Sequence, residues 1–156
     1  MNKNYLEQVS LLVRILPEIA KIPNFALHGG TAINLFHHNM PRLSVDIDLT
    51  YVDNIDREKD LASINELLTV LSLRLSKIIP GIRMKTSNRD RGEYKLICIY
   101  GSALVKVEVN TINRGLISQA EICKICPAAQ MKDGPQMGTN WFHKWAQIFF
   151  VVRFAR

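Results

Sequence analysis

Hydrophobic residues recur at three- and four-residue spacing over residues 4–21, where Leu6, Val9, Leu12, Val13, Leu16 and Ile19 line one side of a helix. Pro17 falls inside this pattern and predicts a kink or the start of a second short helix. An apolar strand begins at Phe25 and runs into Gly29-Gly30, and a helical segment with Ile33, Leu35 and Phe36 as its apolar residues follows over 31–38. Beyond Pro41 the period changes to two. Val45, Ile47, Leu49 and Tyr51 point one way, and Ser44, Asp46, Asp48 and Thr50 point the other. Helical spacing returns over 56–79 through Leu61, Ile64, Leu68, Leu71, Leu75 and Ile78, and Pro80-Gly81 ends it. That stripe fits a helix laid against a sheet, or a coiled coil joining two copies of the chain. Three strands are predicted next, over 82–86, 93–100 and 103–110, with a polar turn at 87–92 and a tight turn at Gly101-Ser102.

The polar positions of this pattern carry the chemistry. Gly29 and Gly30 allow backbone conformations closed to other residues and a close approach of a ligand to the main chain. The helix that Thr31 opens offers unpaired N–H groups and a positive dipole end, which suit a phosphate. Asp46 and Asp48 project from one face of their strand, where two adjacent carboxylates repel each other unless a cation lies between them. A hard cation such as Mg²⁺ is the usual partner of such oxygens. The plainer account is an acidic pair on the wet face of a half-exposed strand. Arg42 and Ser44 share the parity of Asp46 and are candidates to contact a phosphate, or are surface groups. On the last strand Lys106 and Glu108 share the face opposite Val105 and Val107, as phosphate and metal ligands or as a salt bridge.

His28-Gly29-Gly30-Thr31-Ala32-Ile33-Asn34-Leu35-Phe36, followed by Arg42-Leu43-Ser44-Val45-Asp46-Ile47-Asp48-Leu49, resembles the core of the AbiEii/AbiGii-type nucleotidyltransferase toxins, within the DNA polymerase β-like superfamily. The resemblance is dense over residues 25–52 and extends to about residue 126. It implies an α/β (α+β) fold, a mixed sheet flanked by helices, in a core domain over 1–126. It also implies transfer of a nucleotide from an NTP, with Mg²⁺ or Mn²⁺ held by Asp46, Asp48 and Glu108, the third carboxylate on a neighbouring strand. Gly29, Gly30 and Thr31 would cradle the phosphates, aided by Arg42, Ser44 and Lys106. The implied acceptor is RNA, tRNA in particular, and the implied setting is a bacterial toxin–antitoxin or phage-defence pair with a cognate antitoxin.

Composition adjusts this picture only slightly. A net charge of +6 and a pI near 9.4 are compatible with RNA or an NTP as partner. Three cysteines and the lack of a secretory start point to a reducing cytoplasm, and no apolar run is long enough to span a bilayer. Cys123 and Cys126 form a single C-x-x-C, half of a zinc site, to which the four histidines add no second pair. Residues 127–156 form a divergent tail. Trp141, Trp145 and Ile148 recur at helical spacing there, predicting a short helix packed on the domain or on a second copy, as in a homodimer. The Lys/Asp-bearing helical half that follows the core in the resembled family has no counterpart in this tail. That difference keeps open a rival expectation, a truncated and inactive remnant that binds nucleotide, RNA or protein.

Overall fold

A computed structural model describes residues 3–37, 45–89, 93–112, 114, 121–124 and 149–152 of the chain. Helix α1 spans Lys3–Ala20, strand β1 Phe25–His28 and helix α2 Gly29–Ala32, which passes into a π-helical turn over Ile33–His37. Strand β2 covers Asp46–Tyr51, helix α3 Arg57–Ile78, and strands β3, β4 and β5 cover Arg83–Arg89, Glu93–Tyr100 and Ala103–Asn110. Two short strands complete the order, β6 over Glu121–Lys124 and β7 over Phe149–Val152. The strands form one sheet in the order β3-β4-β5-β2-β1-β7-β6. Pairing is parallel at β2–β5 and β1–β7 and antiparallel elsewhere, so the sheet is mixed and the fold is the α+β arrangement that the resemblance implies.

Alternation decides which face of the sheet is dry. Ile47 and Leu49 of β2, Val105 and Val107 of β5, and Leu96 and Cys98 of β4 are completely buried. They form one core with Leu12, Ile15 and Ile19 of α1 and with Ile64, Leu68, Leu71 and Leu75 of α3. The two helices also touch each other, so the stripe on α3 serves as a sheet-packing face. α1 is pinned over the β4–β5 turn. Gln8 Nε2 donates to the Leu104 carbonyl at 3.1 Å, the Ser102 hydroxyl donates to the Glu7 carboxylate, and the Arg14 guanidinium lies 5.2 Å from the centre of the Tyr100 ring. At the other end of the sheet, the Asp56 carboxylate caps α3 by accepting from the Glu58 and Lys59 backbone N–H groups. The buried Asp60 carboxylate accepts from Arg114 Nε at 3.0 Å, which ties the segment after β5 to the first turns of α3.

Several expectations are corrected. Pro17 starts no second helix: α1 is one helix through it, and the missing N–H falls in the last turn, where one lost hydrogen bond is tolerated. β3 runs to Arg89, through part of the expected turn, because it pairs with β4 over its whole length. The segment after the glycines is one α-turn and a π-turn rather than a regular helix. Residues 149–152, expected in a C-terminal helix, form strand β7 beside β1, in keeping with the strand preference of Phe-Phe-Val-Val. The remainder of the predicted tail helix lies outside the described residues.

Candidate active site

The two aspartates of β2 stand on the sheet face opposite the helices. Asp46 and Asp48 are half-buried and alternate with the fully buried Ile47 and Leu49, so one strand carries core on one side and carboxylates on the other. Register brings the other candidates to them. Across the parallel β2–β5 pair Asp46 stands opposite Lys106 and Asp48 opposite Glu108. Across the antiparallel β1–β2 pair Asp48 stands opposite His28. His28, Asp48, Glu108 and Lys95 thus form a row over four adjacent strands, with Lys95 opposite Glu108 on β4.

The electrostatics follow from this row. Burial pushes the Asp48 carboxyl above its ordinary value; His28 pulls it back, and Glu108 and Asp46 push it further up. Glu108 Oε1 accepts a charge-assisted bond from Lys95 Nζ at 2.9 Å. The salt bridge open to Glu108 from its sequence is therefore present, but its partner is Lys95 and not Lys106. Among the described residues no group of three or more His, Cys, Asp or Glu side chains converges to hold a metal.

The glycine turn bears directly on Asp48. Gly29 has φ of +74°, the left-handed region, and a Cβ built there would stand 2.6 Å from Asp48 Oδ2. A side chain at position 29 would occupy the space of the carboxylate. Gly30 follows within α2, which begins at His28 as its cap. Thr31 is completely buried, and its hydroxyl donates to the backbone carbonyl of Asp46, fastening α2 to the start of β2. Lys106 is exposed next to Asp46. Arg42 and Ser44 lie outside the described residues.

Two residues enter the site that the sequence reading did not place there. His28 Nε2 is buried with no hydrogen-bond partner among the described residues. Lys95 was hidden because Ile97 and Ile99 share its face and blur the polar alternation. Its position could have been counted from the Gly101-Ser102 turn, which pairs Tyr100 with Ala103 and so Lys95 with Glu108. The cysteines add no chemistry here. Burial pushes the Cys98 thiol up to about 12, Cys123 is free, and Cys126 of the C-x-x-C lies outside the described residues. No helix among the described residues is long and apolar enough to cross a membrane.

The model of the family described as "Nucleotidyl transferase AbiEii toxin, Type IV TA system" matches residues 10–139, which take in every element from β1 to β6. In fold, the chain is similar to a solved protein of Helicobacter pylori, JHP933, with a TM-score of 0.52 and 19% identity. The likeness covers 79% of this chain and 50% of that one, so the chain spans about half the length of that structure. None of the curated proteins matches.

Proposed function

Because this chain belongs to the AbiEii family of nucleotidyltransferase toxins, we propose that it transfers a nucleotide from an NTP to an RNA acceptor, tRNA in particular, as the toxin of a toxin–antitoxin pair in the cytoplasm. The observation that carries this reading is the placement of Asp46 and Asp48 on one face of β2, with Glu108 in register on β5 and the Gly29 backbone against Asp48.

The donor set suits a hard divalent cation, since it consists of carboxylate oxygens on adjacent strands and one of them, Asp48, is held above its ordinary pKa by burial and by the carboxylates of Glu108 and Asp46. Asp46, Asp48 and Glu108 would hold Mg²⁺ or Mn²⁺. When bound, the cation supplies charge stabilisation for the attacking and leaving oxygens. The chain's own groups do the rest. The backbone N–H groups of Gly29 and Gly30 donate to phosphate oxygens, Lys106 and Arg42 balance their charge, and the Ser44 hydroxyl adds a hydrogen bond. His28 Nε2, buried without a hydrogen-bond partner among the described residues, offers one further contact. Thr31 acts through the strand it fastens, holding Asp46 in place, and is a positioning residue. An acceptor hydroxyl attacks the α-phosphorus, its proton passes to a carboxylate oxygen of Glu108, the bond to the β-phosphate breaks, and pyrophosphate leaves. Positioning and charge carry most of the rate.

One observation favours a second reading, in which the chain binds nucleotide or RNA without transferring it: Glu108 is engaged by Lys95. Incubation with each labelled NTP, Mg²⁺ or Mn²⁺ and total tRNA separates the two. Label on RNA that disappears in the Asp46→Asn/Asp48→Asn double variant supports transfer. Metal-dependent NTP binding without label supports the binding module. NTP affinity unchanged in the double variant removes the site from both.

A further inference from the structure

Beyond the carboxylates, the same open face turns cationic. Arg83 and Lys85 of β3 and Lys106 of β5 are exposed on it, and no salt bridge among the described residues engages any of them. Register places Lys85, Ile97, Lys106 and Asp46 in one row across β3, β4, β5 and β2. The next row holds Arg83, Ile99 and Leu104. Three strand spacings of about 4.8 Å put the Lys85 backbone roughly 14 Å from that of Asp46. Between the cations lies a partly exposed apolar floor of Ile97, Ile99 and Leu104. Uncompensated cations aligned on one sheet face repel each other and favour a polyanion laid across them. An apolar floor suits the faces of unpaired bases, which a duplex keeps inside its stack.

We propose that Arg83, Lys85 and Lys106 form a track for the phosphodiester backbone of a single-stranded RNA, leading the acceptor end across β3, β4 and β5 to the Asp46/Asp48 face. This deepens the nucleotidyl-transfer reading and rests on it for the direction of the strand. The track meets the NTP site at Lys106 and extends beyond it, because Arg83 and Lys85 lie on a strand two removed from Glu108.

The test is fluorescence anisotropy of the full chain with a labelled single-stranded RNA oligonucleotide over a salt series. It compares the wild type with Arg83→Ala/Lys85→Ala, and NTP binding is measured separately by calorimetry. Both substituted residues are exposed on the edge strand, and circular dichroism checks that the variant folds. Loss of two phosphate contacts, each adding about 0.7 to the slope of log affinity against log salt, lowers that slope by about 1.4 and the affinity at 0.1 M salt by about 25-fold. NTP binding stays at the wild-type level. Unchanged RNA affinity and slope in a folded variant overturn the track, as does a wild type that binds no RNA or binds duplex RNA equally well. A wild type that binds RNA in this way but no NTP leaves the track standing and refutes nucleotidyl transfer instead. Should the double variant misfold, Lys85→Gln alone is expected to lose about 0.7 of slope, and an unchanged slope there is equally fatal.

Discussion

Replacing Gly29 by alanine tests how tightly the glycine turn is fitted against Asp48. Two costs are expected. The first is conformational: φ is +74°, and placing a residue with a Cβ in that region costs roughly 1–2 kcal/mol. The second is steric, because the new Cβ would lie 2.6 Å from Asp48 Oδ2, so the carboxylate must leave its rotamer at about 0.5–1.5 kcal/mol. The sum is a loss of about 1.5–3.5 kcal/mol, and for a chain of this size about 2–4 °C per kcal/mol gives a fall in Tm of roughly 3–14 °C. The two costs separate in a double-mutant cycle read by urea denaturation. In an Asp48→Ala background the nearest remaining atom is the Cβ of residue 48 at 3.4 Å, an ordinary contact. There Gly29→Ala is expected to cost only the conformational part, which makes the coupling about 0.5–1.5 kcal/mol. A coupling below about 0.3 kcal/mol, the range of independent sites, would refute the claim that position 29 and the Asp48 carboxylate compete for one space.

Three further outcomes are expected. Asp48→Asn raises stability at neutral pH in the absence of divalent cations. A carboxyl whose folded pKa lies above its ordinary 3.8 costs stability once ionised, so the variant's advantage, followed by thermal unfolding across pH, shrinks as pH falls through the raised value and is gone below 3.8. An advantage that does not change with pH would contradict the burial of the charge. Thr31→Val removes the bond to the Asp46 carbonyl and lowers stability by about 1 kcal/mol, whereas a loss of NTP affinity without loss of stability would show direct contact with the nucleotide. Deleting residues 141–156 removes β7 from beside β1 and lowers Tm, and an unchanged Tm would show that the β1–β7 pairing adds nothing.

Local periodicity made much of this fold legible, and it failed where the deciding partner lies far along the chain. The alternation of Val45 to Tyr51 identified which side of β2 is core, and the spacing on α3 identified Ile64, Leu68, Leu71 and Leu75 as its buried side. The row from His28 to Lys95 depends on which strands become neighbours, and periodicity is silent on that. Thr31 opens a helix after two glycines, a position that points to a phosphate and is silent on how deeply the side chain is buried. Its burial depends on β2 coming up against α2, a contact made only in the folded chain. The tail helix was not the fate of residues 149–152, which are β-prone and pair beside β1.

The alternation along β2 also bears on how such a gene decays. Residues 47 and 49 answer to the interior, and under the proposed function residues 46 and 48 answer to the chemistry, so mutations at neighbouring codons would have separate fates. A change at the odd positions destroys the protein, and quality control removes the product. Under that same proposal, a change at the even positions would disarm it and leave a folded chain that still accumulates. Under selection against a harmful activity, the second class is the one that persists in a lineage, as a full-length inert protein that can later be retained for whatever it still binds.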